Sequence, residues 1–185
     1  IQPLLMKYGI NMTGPSLTEK LPEAKRAAFL KALADNGLPQ SAVDRFDPWL
    51  AGTQLSMLAL VKAGYDPKSG VEEALNEAAK AANKPLSGLE TIEQQLGFFD
   101  SLSEGAQLLM LTEAVDKLDT AAGEFDKLVA EWAQGDAEGL AVIMNDGLRS
   151  SPELAKVLLA DRNARWADWI KVRLDKPGVV FVAVG

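Results

Sequence analysis

The chain contains no cysteine and no histidine among its 185 residues. Without cysteine it can form no disulfide, no thiolate nucleophile and no thiolate metal ligand. Such a sequence is compatible with either the cytoplasm or an oxidising compartment, so composition leaves the compartment open. Without histidine it lacks the commonest general base and metal ligand, and a histidine-based site cannot be complete within these residues.

Positive charge and long apolar runs are also scarce. The chain has 19 Lys and Arg against 26 Asp and Glu, a net charge of −7, and the basic residues form no stripe along the predicted helices. Nucleic acid is therefore not an expected partner. The uncharged helical run from Pro48 to Val61 spans 14 residues, whereas a helix that crosses a bilayer needs roughly 20. This run predicts a buried core helix, and no transmembrane segment is predicted.

The remaining composition is typical of a globular domain. Apolar residues make up 48% of the sequence, which is enough in 185 residues to bury a sizeable core. There is no internal repeat or low-complexity linker, so residues 1–185 are predicted to form a single domain. The chain begins at Ile1 without an initiator methionine and ends at Gly185 directly after an apolar run. We expect both ends to continue into flanking segments, which would carry any export signal.

Helical periodicity and helix-end signals recur along most of the chain. Thr91 with Gln94, and Ser101 with Glu104, have the spacing of capping boxes, in which each side chain satisfies a backbone donor at the helix start. The predicted helices run over 22–35, 49–63, 71–82, 92–99, 101–118, 120–133, 136–147 and from Ser151-Pro152 to about 175.

Two short stretches are predicted to be strands. Pro85 ends the helix before it, and Leu86–Leu89 is long enough only for a brief strand. Val179–Val184 is an uninterrupted apolar run, typical of a parallel strand that is covered on both faces. The predicted fold class is therefore α/β and helix-rich. It has short parallel strands near 86–89 and 179–184, a large all-helical segment between them, and a right-handed crossover.

Glu90 follows the first predicted strand and precedes a capped helix. Because ligands in α/β folds bind at the carboxyl ends of strands, Glu90 is expected to face a cleft together with Gly185, which ends the second strand. The alternative is a solvated carboxylate that stabilises the N-terminus of the next helix. Spacing alone leaves both interpretations open.

Arg162 lies near the middle of an apolar sector of the last predicted helix, at 100° per residue. That sector comprises Leu154, Val157, Leu158, Trp166 and Trp169. Because arginine is rarely buried unless it is paired, its charge must be compensated. One interpretation is structural, in which Arg162 snorkels or pairs with Asp161, Glu90 or Glu93. The other gives it a role in holding an anion or a carbonyl oxygen. Trp166 and Trp169 are interpreted as core or interface aromatics.

Several groups of residues are, taken together, specific enough to indicate a family. They are Gly70-Val71-Glu72, Lys84-Pro85, Gly88-Leu89-Glu90-Thr91 with Gln94, Asp161-Arg162-Asn163-Ala164-Arg165-Trp166, and Phe181-Val182-Ala183-Val184-Gly185. Through them, most of the chain resembles the TraB/GumN proteins, which are related to the Tiki proteases and grouped with an EreA/ChaN-like fold. The resemblance implies a bacterial periplasmic or secreted protein.

The resemblance also implies a metal-dependent hydrolytic site. In that family two Gly-x-x-His motifs, an acidic residue after the first and an arginine that resembles Arg162 are thought to form it. Gly185 would be the glycine of the second motif, with its histidine just beyond, and the first motif would precede Ile1. The candidate catalytic residues are thus Arg162 and Glu90, and the candidate binding residues are Asn163, Gly185 and Gln94. No metal ligand is assigned within these residues.

The leading hypothesis is therefore the core portion of a metal-dependent hydrolase that uses metal-activated water on peptide or ester bonds. A divalent metal would lower the pKa of bound water to about 7, and a fixed guanidinium would stabilise the oxyanion. The substrate would be a peptide or a small molecule. The alternative hypothesis is a non-catalytic helical binding module that keeps the scaffold. Gly-x-x-His motifs in the full-length gene would distinguish the two, whereas oligomeric state is not predicted.

Overall fold

The computed structural model describes residues 1–184, and this part of the chain folds into helices joined by short connections. The helices are α1 Gln2–Tyr8, α2 Leu17–Lys20, α3 Glu23–Asp35, α4 Gln40–Val43, α5 Pro48–Lys62, α6 Val71–Ala81, α7 Ile92–Asp100, α8 Glu104–Asp116, α9 Ala121–Gln134, α10 Ala137–Asp146, α11 Pro152–Ala155 and α12 Asp161–Leu174. A 3₁₀ turn, Pro67–Ser69, precedes α6, and a π-helical turn, Lys156–Ala160, joins α11 to α12. Within residues 1–184, no helix has both the length and the apolar composition needed to cross a membrane.

The predicted α/β class is wrong, because the described part of the chain is all-helical. Residues 1–184 contain 68% helix, 1% strand and no sheet, with one isolated bridge between Ile10 and Phe46. The segments near 86–89 and 179–184 are not helical, but neither pairs as a strand, so the parallel sheet and its crossover are also wrong. The apolar run Val179–Val184 predicts a strand that is covered on both faces. In the structure it is not covered, since Val179 is 102% and Phe181 is 79% exposed. An apolar pattern makes a strand only where a neighbouring backbone supplies hydrogen bonds.

The main core forms where α5 packs against α8, with α3 and the short helices α2 and α4 around it. The prediction of a core helix from Pro48 is confirmed for its N-terminal half, where Trp49, Leu50 and Leu55 are buried. The C-terminal half is less enclosed, since Met57 and Val61 are about half exposed. The buried residues of this core are Leu17, Leu21, Phe29, Leu33, Val43, Ala51, Leu55 and Leu111.

Gly52 allows the closest approach between α5 and α8. A Cβ atom at this position would lie 3.1 Å from the Cα and 3.4 Å from the N atom of Leu111. We expect Gly52→Ala to lower the free energy of unfolding by roughly 1 to 3 kcal/mol, because a helix backbone cannot move aside as a side chain can. Urea titration would measure this.

The matched control for Gly52→Ala is Gly123→Ala in α9, where no atom lies within 4 Å of the new Cβ. Alanine there should be neutral or stabilising by up to about 1 kcal/mol, because only helix propensity changes. Equal effects at the two positions would show that the α5–α8 contact does not need glycine.

A second, smaller core joins α7, α8 and α11. Leu102, Ala106 and Leu154 are buried there, and Val157 and Leu158 of the π turn pack against them. The predicted capping box at Ser101 and Glu104 is wrong, since α8 is capped by Ser103. The Ser103 backbone N–H and hydroxyl donate to the Glu153 carboxylate at 2.7 and 2.6 Å. This contact is tertiary, so the spacing of residues within the helix could not indicate it.

Candidate functional site

Local sequence places Glu90 between two well-defined helix ends. α6 ends at Ala81, and Asn83 then adopts a left-handed conformation with φ 52°. The predicted capping box at Thr91 is confirmed, because its hydroxyl accepts a hydrogen bond from the Gln94 N–H and the Gln94 side chain accepts one from the Thr91 N–H. Glu90 therefore directly precedes the N-cap of α7, in a connection without regular structure.

Arg162 of α12 holds the Glu90 carboxylate with several charge-assisted hydrogen bonds. Its Nε lies 3.1 Å from each Glu90 oxygen, and its Nη2 donates to Oε2 at 2.8 Å. Its Nη1 donates to the Leu158 carbonyl at 3.2 Å. The Glu90 side chain is only 5% exposed and that of Arg162 is 24% exposed. This geometry is the bidentate pairing in which such bonds are strongest.

Further positive charge and aromatic rings surround the pair. Arg165 lies 3.8 Å from Glu90 Oε1, and its guanidinium is 4.7 Å from the centre of the Phe98 ring. The Arg162 guanidinium is 4.8 Å from the Trp166 ring, a cation–π distance. Two guanidinium groups thus share one carboxylate, which leaves a net positive charge at this point of a chain whose total charge is −7.

The pair lies in an open cleft of about 700 Å³. The cleft is lined by Pro85–Glu90, by Val180–Val184, and by Glu72 and Asn76 of α6. Trp166 and Trp169 add apolar area to its wall. The cleft combines an ordered cation with aromatic and aliphatic surface, the composition typical of small-ligand sites.

Arg162 keeps hydrogen-bonding capacity after pairing with Glu90. A guanidinium has five N–H donors, of which Nε uses one and Nη1 and Nη2 use one each. One donor on each terminal nitrogen has no partner within residues 1–184. Free N–H donors of this kind can bind an oxygen of a carboxylate or of a developing oxyanion.

The structure brings together only some of the residues predicted from sequence. Glu90 and Arg162 are in direct contact, whereas Gln94 is exposed and engaged in the α7 cap. Asn163 is exposed and does not line the cleft, and Gly185 lies outside the described residues. Roles in catalysis or binding stay predictions for all of them.

The sequence did not indicate Gln95, and it predicted Trp166 to be a core or interface aromatic. Both line the cleft, and the indole N–H of Trp166 is buried without an acceptor within residues 1–184. Helical spacing could have indicated Trp166, since it follows Arg162 by four residues, which places the two on one face. No sequence signal separated Gln95 from Gln94.

The described residues do not fit a divalent metal. Among residues 1–184, no three acidic side chains lie close enough together to hold one. Both Glu90 oxygens already accept hydrogen bonds from Arg162. Glu90 therefore acts as the partner of a guanidinium and not as a metal ligand.

The pairing makes stability depend on pH. Burial raises the pKa of Glu90, but the hydrogen bonds and charge of Arg162, aided by Arg165, outweigh burial and hold that pKa below the ordinary value of 4.5. Since the folded state has the lower pKa, the stabilisation is present above about pH 4.5 and is lost as pH falls through the folded pKa. We expect the difference in urea midpoint between the wild type and Glu90→Gln to shrink as pH drops from about 6 to about 3. A constant difference would contradict this.

Comparison with known proteins places these observations in a family context. A family model described as the TraB/PrgY/gumN family matches residues 1–185. The chain is 25% identical over 170 residues to the uncharacterized protein YbaP of Escherichia coli K12, and equally to that of Shigella flexneri. Each alignment covers 92% of this chain and 62% of the relative, so the chain spans about 62% of the length of these relatives. No solved structure matches it.

Proposed function

This chain belongs to the TraB/PrgY/gumN family, and on that basis we propose that its cleft forms part of the substrate site of a metal-dependent hydrolase. The family resemblance seen in the sequence is confirmed, while the reaction is a proposal. The observation that carries it is the buried Glu90 carboxylate, which fixes Arg162 and leaves one N–H donor free on each terminal nitrogen. A guanidinium held in this way is preorganised for negative charge that develops on a substrate oxygen.

The chemistry assigned to this chain is stabilisation of an oxyanion. When water attacks the carbonyl carbon of a peptide or ester, the carbonyl oxygen takes up negative charge, and it would accept hydrogen bonds from the free N–H donors of Arg162. Glu90 keeps the guanidinium in place, so little reorganisation is needed as charge develops. Trp169 and the apolar side chains of Val180–Val184 would bind the apolar part of the substrate.

The metal in this proposal takes its ligands from outside the described residues. When bound, a divalent ion would supply activated water, but residues 1–184 do not hold it, and no step assigned to this chain involves it. In this proposal Arg162 and Glu90 contribute only charge stabilisation, and the apolar residues that line the cleft contribute only substrate binding.

The proposal is tested with the full-length gene product and a panel of acetylated peptides and p-nitrophenyl esters. We expect hydrolysis that a chelator abolishes and that an added divalent metal restores. Binding of these compounds without turnover, in the presence of each metal tried, would overturn the proposal and indicate the non-catalytic binding module.

A further inference from the structure

The helix that carries Arg162 is interrupted by a π turn. The turn ends at Ala160, and Arg162 is the second residue of α12. In Lys156–Ala160 the hydrogen bonds span five residues, as in the bond from the Asp161 N–H to the Lys156 carbonyl. Such turns accommodate an extra residue within an α-helix, are rare, and occur frequently at functional sites. The sequence predicted one uninterrupted helix over this region, so the turn is a feature that only the structure shows.

The π turn lies between two contacts whose positions are both fixed. On its N-terminal side Leu154 is buried against Leu102 and Ala106 of the second core. On its C-terminal side Arg162 is bonded to Glu90. Loss of one residue between these points would rotate Arg162 by roughly 100° relative to Leu154, since an α-helix has 3.6 residues per turn. One of the two contacts would then be lost.

The turn also touches the guanidinium directly. The Leu158 carbonyl, which belongs to the turn, accepts the hydrogen bond from Arg162 Nη1 at 3.2 Å. This bond uses one donor of Nη1, while Glu90 accepts from Nε and Nη2. The orientation of the guanidinium therefore depends on this segment.

We infer that the π turn at Lys156–Ala160 is a positioning element that sets the Arg162 guanidinium against Glu90 in the cleft. The inference concerns the placement of Arg162 and holds whether or not the cleft catalyses hydrolysis. It assigns a role to all five residues of the turn. Exposed residues such as Leu159 contribute to the number of residues between Leu154 and Arg162, and not through contacts of their side chains.

Deletion of Leu159 in the full-length gene product tests the inference, with Leu159→Ala as its matched control. Leu159 is 38% exposed and belongs to neither core cluster nor to the lining of the cleft. The substitution removes the side chain but keeps the residue count, whereas the deletion converts the turn to regular helix. The readout is the Nε–H NMR signal of Arg162, which is assigned by its absence in Arg162→Lys.

We expect this signal to be protected from exchange in the wild type and in Leu159→Ala, and to be lost or fully exchanging in the deletion variant. A protected signal after deletion would overturn the inference.

A second measurement covers the case in which the deletion variant does not fold. The same deletion is made in a background with Glu90→Gln and Arg162→Gln, which removes the pair without leaving an unpaired charge. We expect the deletion to lower the urea midpoint, or to prevent folding, in the wild type and to have a much smaller effect in this background. An equal loss in both backgrounds would show that the turn serves general packing, and would overturn the inference.

Discussion

Glu90→Ala is expected to lower the free energy of unfolding by roughly 2 to 4 kcal/mol, because it leaves the charge of Arg162 without a partner. The Glu90 side chain is 5% exposed, but that of Arg162 is 24% exposed. The pair is therefore only partly enclosed, and the loss should fall below the upper end of the range for fully buried pairs. Urea unfolding at neutral pH would measure it.

Glu93→Ala is the matched control for this substitution. Glu93 lies three residues away and is also paired, since it accepts hydrogen bonds from Lys7 and Tyr8 at 2.8 Å. Its side chain is 50% exposed, so its loss should cost much less stability than the loss of Glu90, because solvent screens an exposed ion pair. If the two alanine variants lost equal stability, the Glu90–Arg162 pair would be no more than an ordinary surface ion pair.

Arg162→Lys is expected to fold with little loss of stability while hydrolysis by the full-length gene product falls by about 10² or more. Lysine keeps a positive charge beside Glu90, which preserves the main electrostatic contact. It lacks the planar fork, and its three N–H donors diverge from one nitrogen, so they cannot reproduce the bidentate contact with Glu90 together with the geometry of the free guanidinium donors. The loss should resemble that of one oxyanion donor. Thermal unfolding and turnover with added divalent metal would be measured together.

Arg165→Lys provides the comparison for Arg162→Lys. Arg165 is also near Glu90, but at 3.8 Å and with a 50% exposed side chain, and it does not line the cleft. Turnover should therefore change little. A lower melting temperature with near-normal turnover in Arg162→Lys would mean that Arg162 is structural, and would remove it from the catalytic residues.

Much of the helical framework was predictable from the sequence. Helix stripes and end signals placed α3, α5, α6, α9 and α10 within one or two residues of their observed bounds. The capping box at Thr91 and Gln94 was also correct, because both of its hydrogen bonds involve residues within one turn of each other. The predicted capping box at Ser101 and Glu104 was not correct, because a distant residue, Glu153, binds Ser103 at the N-cap of α8.

The predicted sheet failed for a different reason. Leu86–Leu89 and Val179–Val184 have the composition of strands, but a strand requires a hydrogen-bonding partner that its own residues do not specify. The described chain provides none for either segment, and residues of both line the cleft instead. The hydrophobic pattern alone could not distinguish these outcomes.

At the candidate site, composition and helical spacing were enough to show that Arg162 needs compensation, because a charged group on an apolar helix face is costly at any position in a fold. Which carboxylate compensates it was decided by the tertiary structure, which brought Glu90 across 72 residues of sequence and left Glu93 to Lys7 and Asp161 to Lys156. The π turn was likewise invisible locally. The turn lies between two contacts that one helix must make together, namely Leu154 in the second core and Arg162 with Glu90. This constraint exists only once the chain has folded.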